Sequence, residues 1–442
     1  MRTERTIVVM LLALAPCVFC LEGVGSTEEL APNAPNPAAI EQVKSGQRAE
    51  ANAAWWGFNA EDSTECLQAA IDSGVRKLVV PYMGREWIAR PLKLRGNLEI
   101  VFEPGVVVLA KKDEFKGGGD SLFSASDASD ITLRGYGAAL RMRKKDYQNE
   151  PYKKAEWRMV LSFDGCRRIR VEGLRLESSG GDGIYLGATG SLPYCEDVVV
   201  RDVVCDDNHR QGISVIGAVN LLIENCVLSN TDGTPPQAGI DLEPNGPKEK
   251  LVNVVIRNCR IENNTGSGIL LYLKNLSRES DPVSIRFEDC YVKGGKDAGI
   301  GLGALKEDGP QGSVEFINCT IEDTEKCGAY IFDKSPAVAA VRFVNCKWKN
   351  VATEDPRNPF RVPILIHSFR KSLTPRLGGV EFTDCCVYDE RDRPALVVKC
   401  RDEPDAASNL KGTVYVRNPH GVRALFPKGV RAPELRVVET QE

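Results

Sequence analysis

Asp241 and Glu243 lie two residues apart in the segment Ala238-Gly239-Ile240-Asp241-Leu242-Glu243, where an aliphatic residue alternates with an acid. On a β-strand both acids project from one face, with Cα atoms about 6.6–6.8 Å apart. Splay of the side chains would separate the carboxyls by about 6.5–9.5 Å, the spacing at which one acid protonates a leaving glycosidic oxygen while the other activates water. Paired acids also raise one another's pKa, so one of them keeps its proton. Asp206, Asp207, His209, Arg210 and Gln211 occupy the corresponding turn of the preceding unit, and Asp182 the unit before that. This spacing predicts Asp241 and Glu243 as the catalytic pair, with Asp182 or Asp207 as helper. Asp206, His209, Arg210 and Gln211 are then contacts to the substrate.

The elements that must position these groups are read from repetition. The pentapeptides Asp182-Gly183-Ile184-Tyr185-Leu186, Gln211-Gly212-Ile213-Ser214-Val215, Ala238-Gly239-Ile240-Asp241-Leu242, Ser267-Gly268-Ile269-Leu270-Leu271, Ala298-Gly299-Ile300-Gly301-Leu302 and Cys327-Gly328-Ala329-Tyr330-Ile331 place their glycines 29, 27, 29, 31 and 29 residues apart. Later units keep the strand without the glycine, at 363–367 and 394–398. A Val/Ile/Leu-rich strand precedes each pentapeptide, with no helical period between the two. Strands that recur every ~30 residues without helices cannot each bury an apolar face alone, so they must stack winding on winding. The fold class is therefore all-β, a single-stranded right-handed parallel β-helix over residues 52–440. Ile184, Ile213, Ile240, Ile269 and Ile300 point inward, and the residues between them point outward. Residues 61–73, with Cys66, Leu67, Ala70 and Ile71 at helical spacing, are expected to form an amphipathic helix plugging the N-terminal end.

A second irregularity falls on the acidic winding. Seven residues separate Leu176, Cys205, Ile261, Val292 and Ile321 from the next repeat glycine, but eleven separate Leu228 from Gly239. The extra residues lie in 230–237, a Pro-stiffened loop expected to rise beside Asp241 and to bring Gln237 to the substrate. Loops on a rigid scaffold are where binding groups gather. Tyr185 and Tyr272 flank the acidic winding as candidate sugar-stacking platforms, and Lys274 follows as a candidate contact. A solvated acidic face or a calcium site would use the same two acids; the inserted loop and its neighbours favour chemistry. His367 and His420 are isolated and read as structural.

Composition excludes other classes. Of 442 residues 42% are hydrophobic and 27% charged, too polar for a multi-span membrane protein and too apolar for a disordered chain. A net charge of −4 without a basic block gives no footprint for nucleic acid. Arg2 and Arg5 before the apolar run 7–14, then Cys20, Gly23 and Gly25, follow the order of a secretory signal peptide, assigned to 1–25. Export, either secreted or periplasmic, is the expectation. Pro16 before Cys17 and Phe19 before Cys20 argue against lipid attachment. Residues 26–50 show no apolar period and are expected to be a flexible leader. No apolar segment is long enough to span a bilayer.

Thirteen cysteines remain after removal of the leader peptide. Cys226, Cys259, Cys290, Cys319, Cys346 and Cys385 each follow Asn or Asp, at intervals of 33, 31, 29, 27 and 39 residues. One thiol per unit at one phase predicts a buried ladder rather than disulfides or a metal site. The Asn and Asp residues before them are expected to make turn hydrogen bonds.

The opening Cys66-Leu67-Gln68-Ala69-Ala70-Ile71-Asp72-Ser73-Gly74, then Val79-Val80-Pro81, then 98–102 followed by Glu103-Pro104-Gly105, resembles the pectate-lyase-like β-helix superfamily, which includes polygalacturonase-type glycosidases. The resemblance covers nearly all of the chain after the leader. It implies the β-helix fold and a polysaccharide or oligosaccharide substrate, but its members include glycosidases, lyases, uronate epimerases and non-catalytic solenoids. Polygalacturonase-type enzymes carry Asn-Thr-Asp, Asp-Asp, Gly-His-Gly and Arg-Ile-Lys motifs. Here only Asp182-Gly183-Ile184 and Asp206-Asp207 stand in their place, which weighs against pectin hydrolysis. A clear calcium-lyase pattern is also missing, so no cofactor is expected, with Ca²⁺ the one candidate.

The first reading is a glycoside hydrolase acting as a monomer. The second is a lyase or epimerase on a uronate polymer, with Arg210, Lys274 or His209 as base or carboxylate partner and Tyr185 or Tyr272 as proton donor. The third is a non-catalytic carbohydrate-binding solenoid.

Overall fold

A computed structural model describes residues 33–354, 358, 360–368, 376–400, 407–426 and 434–440. The expected signal peptide and residues 26–32 of the expected leader lie outside the described residues. From Asn33 onward the described chain is almost entirely parallel β-structure, wound as the repeat requires. One sheet has 12 short strands in strict chain order, among them Asp182–Gly187, Gln211–Val215, Ala238–Leu242 and Ile269–Tyr272. The larger sheet takes the remaining strands of each winding, such as Ala218–Glu224 and Leu251–Arg257. Each strand pairs in register with its counterpart one winding away, so Ile213 lies against Ile184 and Ile240.

This register stacks like on like. Ile184, Ile213, Ile240, Ile269 and Ile300 are all fully buried. Farther along, Phe287, Phe316, Phe343 and Phe382 form a continuous ring stack with centroid separations of 5.1, 4.9 and 5.3 Å. The repeat glycines are required by close approach: a Cβ on Gly239 would stand 2.4 Å from Ile261 Cγ2 and 2.8 Å from the carbonyl oxygen of Gly268.

The Cys positions form the expected ladder, and the Asn positions beside them form a second one that was not expected. Cys226, Cys259, Cys290, Cys319, Cys346 and Cys385 are buried free thiols. Cys290 Sγ donates to the Ile256 carbonyl of the winding before at 3.6 Å. The preceding Asn225, Asn258 and Asn318 take left-handed backbone with φ of 56°, 50° and 55°. Asn and Asp tolerate that region because their short polar side chains bond locally. Asn258 Nδ2 accordingly donates to Asn225 Oδ1 at 2.8 Å, and Asn345 Nδ2 to Asn318 Oδ1 at 2.9 Å.

The N-terminal cap is as expected in kind but shorter, a helix over Thr64–Asp72 that buries Thr64, Leu67, Ala70 and Ile71. The expectation of a flexible leader through residue 50 is corrected. Pro37–Lys44 is a helix, opened by a proline in its first turn and by Asn36, whose side chain accepts from Ala39 N at 3.0 Å. Glu50–Asn52 then pairs with the strand Lys77–Val80. Only Ala39 and Val43 of the helix are buried, too few apolar positions to show a period in the sequence.

Candidate functional site

The outward side chains of the 12-stranded sheet form columns along the axis. One column runs Ser162, Tyr185, Ser214, Asp241, Leu270 and Gly301, in register winding by winding. Asp241 thus faces away from the core formed by Ile240 and Leu242. Even so it is only 2% exposed, and Asp182 is 0% exposed. Gln211 positions Asp241: its Nε2 donates to Asp241 Oδ2 at 2.9 Å, while its Oε1 accepts from Ala238 N at 2.7 Å. With both ends engaged, the amide fixes the carboxyl's orientation.

Arg210 stands among the acids without closing on any of them. One terminal nitrogen is 3.8 Å from Asp182 Oδ2 and another is 3.9 Å from Glu243 Oε2. Asp182 and Glu243 therefore lie on either side of one guanidinium. Around it, both oxygens of Asp182, Oδ1 of Asp241, Oγ of Ser214 and Nε of Arg210 are buried and lack a well-aligned hydrogen-bond partner among the described residues, although Ser214 and the Gln211 backbone N–H lie near enough to Asp182 to favour its charged form. Native proteins rarely leave such groups unsatisfied, because each costs about 1–3 kcal/mol. Here five gather in one place.

The electrostatics follow from burial. Burial pushes the Asp182 carboxyl up to about 7, against the opposing pull of Arg210. Asp241 is raised well above the usual carboxylate range by burial first and by Glu243 second. Arg210 lies between Glu243 and Asp182, so the acid across the guanidinium from Glu243 is Asp182. Tyr185 is half-buried, and burial, with Asp164 and Asp182 nearby, pushes its phenol up to about 12.

Other expected site residues are placed differently. Asp207 takes left-handed backbone at φ 53°. It accepts from Lys144 Nζ at 2.7 Å and from Ser178 Oγ at 2.9 Å. Asp206 accepts from Ser229 Oγ at 2.8 Å and from Asn230 Nδ2 at 2.7 Å. Both are tied into neighbouring windings, Asp206 at the end of the strand Val204–Asp206 and Asp207 just after it, and their hydrogen bonds lead away from the cluster. His209 is 6% exposed, with its Nε2 2.9 Å from Thr234 Oγ1. Gly233 passes so near that a Cβ there would lie 2.0 Å from His209 Nδ1. Burial and Lys144 hold this imidazole below its usual range. His209 therefore anchors the 230–237 loop. Gln237 also serves that loop, donating from Nε2 to the Gly233 carbonyl at 2.9 Å.

Tyr272 stands on the winding after Glu243, its ring stacked 6.2 Å from Phe332, so one of its faces is already taken. Lys274 is exposed two residues beyond. Among the described residues no group of three or more His, Cys, Asp or Glu is arranged to hold a metal ion. The Arg210 guanidinium already stands between Asp182 and Glu243 as a fixed cation.

The sequence did not single out Ser214 or Asp164, or the segment 142–160 on the other flank. Met159 Sδ accepts from Asp182 N at 3.0 Å, and Glu156 acts electrostatically on the Asp182 carboxyl. Arg158 pins this segment from within, its Nε donating to the Phe115 carbonyl at 2.8 Å and its guanidinium 5.2 Å from the Tyr147 ring centre. The signal was the long polar interval between the strands Ser129–Arg141 and Leu161–Asp164.

Comparison with known proteins agrees with this architecture. Residues 160–354 match the family described as a right-handed beta helix region. The chain is 25% identical over 237 residues to the protein YclG of Bacillus subtilis strain 168, covering 47% of this chain and 40% of that one. It is 25% identical over 214 residues to the SPbeta prophage-derived protein YorA of the same strain, covering 45% of this chain and 35% of that one. It thus spans less than half the length of these curated relatives. Among solved structures, a mannuronan C-5 epimerase A-module of Azotobacter vinelandii superposes with a TM-score of 0.59 at 15% identity, over 87% of this chain and 99% of that one. A family 28 exopolygalacturonase of Yersinia enterocolitica gives 0.55 at 13% identity, over 88% and 78%. No described helix is long and apolar enough to cross a membrane. In fold the chain is a right-handed parallel β-helix, and residues 160–354 carry the match to the right-handed beta helix region.

Proposed function

We propose that the protein is an exported glycoside hydrolase that cleaves a polysaccharide in the trough around Arg210. One observation carries the reading: three carboxyls surround a guanidinium that none of them closes on, and two of the three are held above the ordinary range by burial. Asp241, oriented by Gln211, keeps its proton and donates it to the leaving oxygen, with Glu243 helping to retain that proton. Asp182, across Arg210, ionises near neutrality and takes the proton of the attacking water. Arg210 and Ser214 hold substrate hydroxyl or carboxylate oxygens with the atoms that now lack well-aligned partners.

Activity should rise with pH through about 7 as Asp182 loses its proton, and fall when Asp241 loses its own. The deciding experiment screens the purified protein against acidic and neutral polysaccharides, reading new reducing ends and ultraviolet absorbance from unsaturated ends. Hydrolysis gives the first without the second. Unsaturated ends would overturn it in favour of a lyase. The half-buried Tyr185, held as a neutral phenol beside Asp182 and Arg210, is what supports that second reading. Glycan binding with no product on any polymer, unchanged in Asp241→Asn, would leave a non-catalytic solenoid.

A further inference from the structure

A groove lies away from the Arg210 cluster, on another face of the coil. It encloses about 1180 Å³ on the outer face of the larger sheet, and none of Asp182, Arg210, Asp241 or Glu243 lines it. Its central column runs in register through Glu99, Thr132, Arg170, Val199, Leu222 and Val255. An acid, a threonine and an arginine come first, with Glu99 already paired to Arg134, and three half-exposed aliphatic positions follow as a floor.

Charge on this groove runs against that of the chain. Five arginines and three acids line it, a net of +2, where the whole protein carries −4. Two of the arginines are neutralised: Arg168 donates through two nitrogens to Asp130, each at 2.7 Å, and Arg257 donates to Glu224 at 2.7 Å. The other three are not. Arg170 comes no nearer a carboxylate than 3.9 Å, at Glu172. Arg95 makes no ion pair among the described residues, but its Nε and both terminal nitrogens donate to the backbone carbonyls of Ile71, Val75, Gly96 and Asn97, so the open forks are those of Arg76 and Arg170. Arg76 also makes no ion pair among the described residues. Arginine is the residue whose flat fork matches a carboxylate by two parallel hydrogen bonds. An apolar floor beside such forks suits a ligand that has both an apolar ring face and a carboxylate.

We propose that this groove is a second, non-catalytic binding site for an extended acidic polysaccharide, holding one stretch of polymer while the trough acts on another. The choice of a glycan rests on the reading given under Proposed function; the choice of an anionic one rests on the uncompensated arginines. A polymer along the axis crosses six winding intervals between Arg76 and Val255, about 29 Å at ~4.8 Å per winding. Its carboxylates meet guanidinium groups at one end and its ring faces meet Val199, Leu222 and Val255 at the other.

The test uses the full chain carrying Asp241→Asn, so that the probe is not consumed, with and without Arg76→Glu and Arg170→Glu together. Polygalacturonate and alginate are the acidic probes and dextran is the neutral one, titrated calorimetrically at low and at 0.3 M salt. The double charge reversal should weaken acidic-probe binding by roughly tenfold, an effect that shrinks in salt as exposed charges are screened. The Arg76→Gln, Arg170→Gln pair should weaken it less, while keeping the melting temperature of the parent. In the active background, turnover of a short oligosaccharide should stay unchanged. Equal binding by parent and reversed variants, dextran bound as tightly as the acidic polymers, or no acidic-probe binding at all would overturn the proposal. Arginine-dependent binding without turnover on any polymer would keep the groove and remove the hydrolase. Turnover without arginine-dependent binding would do the reverse.

Discussion

The two outer faces of the solenoid use the same residue types to opposite effect. On the larger sheet, Glu224 receives Arg257 Nε at 2.7 Å and is also bonded by Arg201, one winding on either side. Burial works against its charge, but those hydrogen bonds hold the carboxyl below its ordinary range. Arg134 and Glu172 pair likewise at 2.9 Å. In the trough, Arg210 stops at 3.8 and 3.9 Å from its acids, and burial prevails. A repeating scaffold places Arg and Glu in register for pairing at any winding. The windings where pairing is withheld, at Arg210 in the trough and at Arg76 and Arg170 in the groove, are therefore the ones whose residues do something other than hold the coil together.

The strongest way to break this contrast is Asp241→Asn. It should lower turnover by about 10²–10⁴-fold, and steady-state assays showing less than a threefold loss would remove Asp241 as proton donor. Asp182→Asn tests the same contrast through stability. In the native state Asp182 keeps its proton to about pH 7, while in the unfolded chain it loses it near 4. The unfolded state binds fewer protons across that window, so native stability falls as pH rises from about 4 to 7 and is level above. The Asn variant should match the parent near pH 4 and exceed it at pH 8 by up to about 4 kcal/mol, measured by urea denaturation.

Glu224→Gln should show the opposite sign. Its native carboxyl titrates below the unfolded one, so its contribution is present above the unfolded pKa and is lost as pH falls through the lower native value. The variant should lose about 1–2 kcal/mol at pH 8 and little at pH 3. The smallest effect belongs to Asp207→Asn, which should leave turnover within about twofold and cost less than about 1 kcal/mol. A large loss of turnover there would return Asp207 to the reacting groups.

The sequence made the scaffold legible because its periodicity is written in residue types with one physical use. The Gly-Ile-x-aliphatic unit, the buried thiols and the left-handed Asn and Asp each recur once per winding, and Asp182, Asp241 and Arg210 follow from that phase. Side-chain direction at turns was not legible. Asp206 and Asp207 sit as near the cluster in the alignment of repeats as Arg210 does, yet the left-handed backbone at Asp207 and the ties to Lys144, Ser178, Ser229 and Asn230 engage them elsewhere. The approach of Arg210 to Asp182 and Glu243 depends on rotamers, which strand spacing does not specify. The 142–160 segment escaped because it lies outside the run of repeat glycines against which lengths were compared.

The column of thiols gives the molecule an internal tally of its own unravelling. Ten of the described cysteines are buried and only Cys66, Cys386 and Cys400 are partly open. An alkylating reagent therefore meets a nearly silent native protein, and each winding that peels away uncovers its own label site. Mass spectrometry of partly denatured samples would read, residue by residue, from which end a stacked coil comes apart.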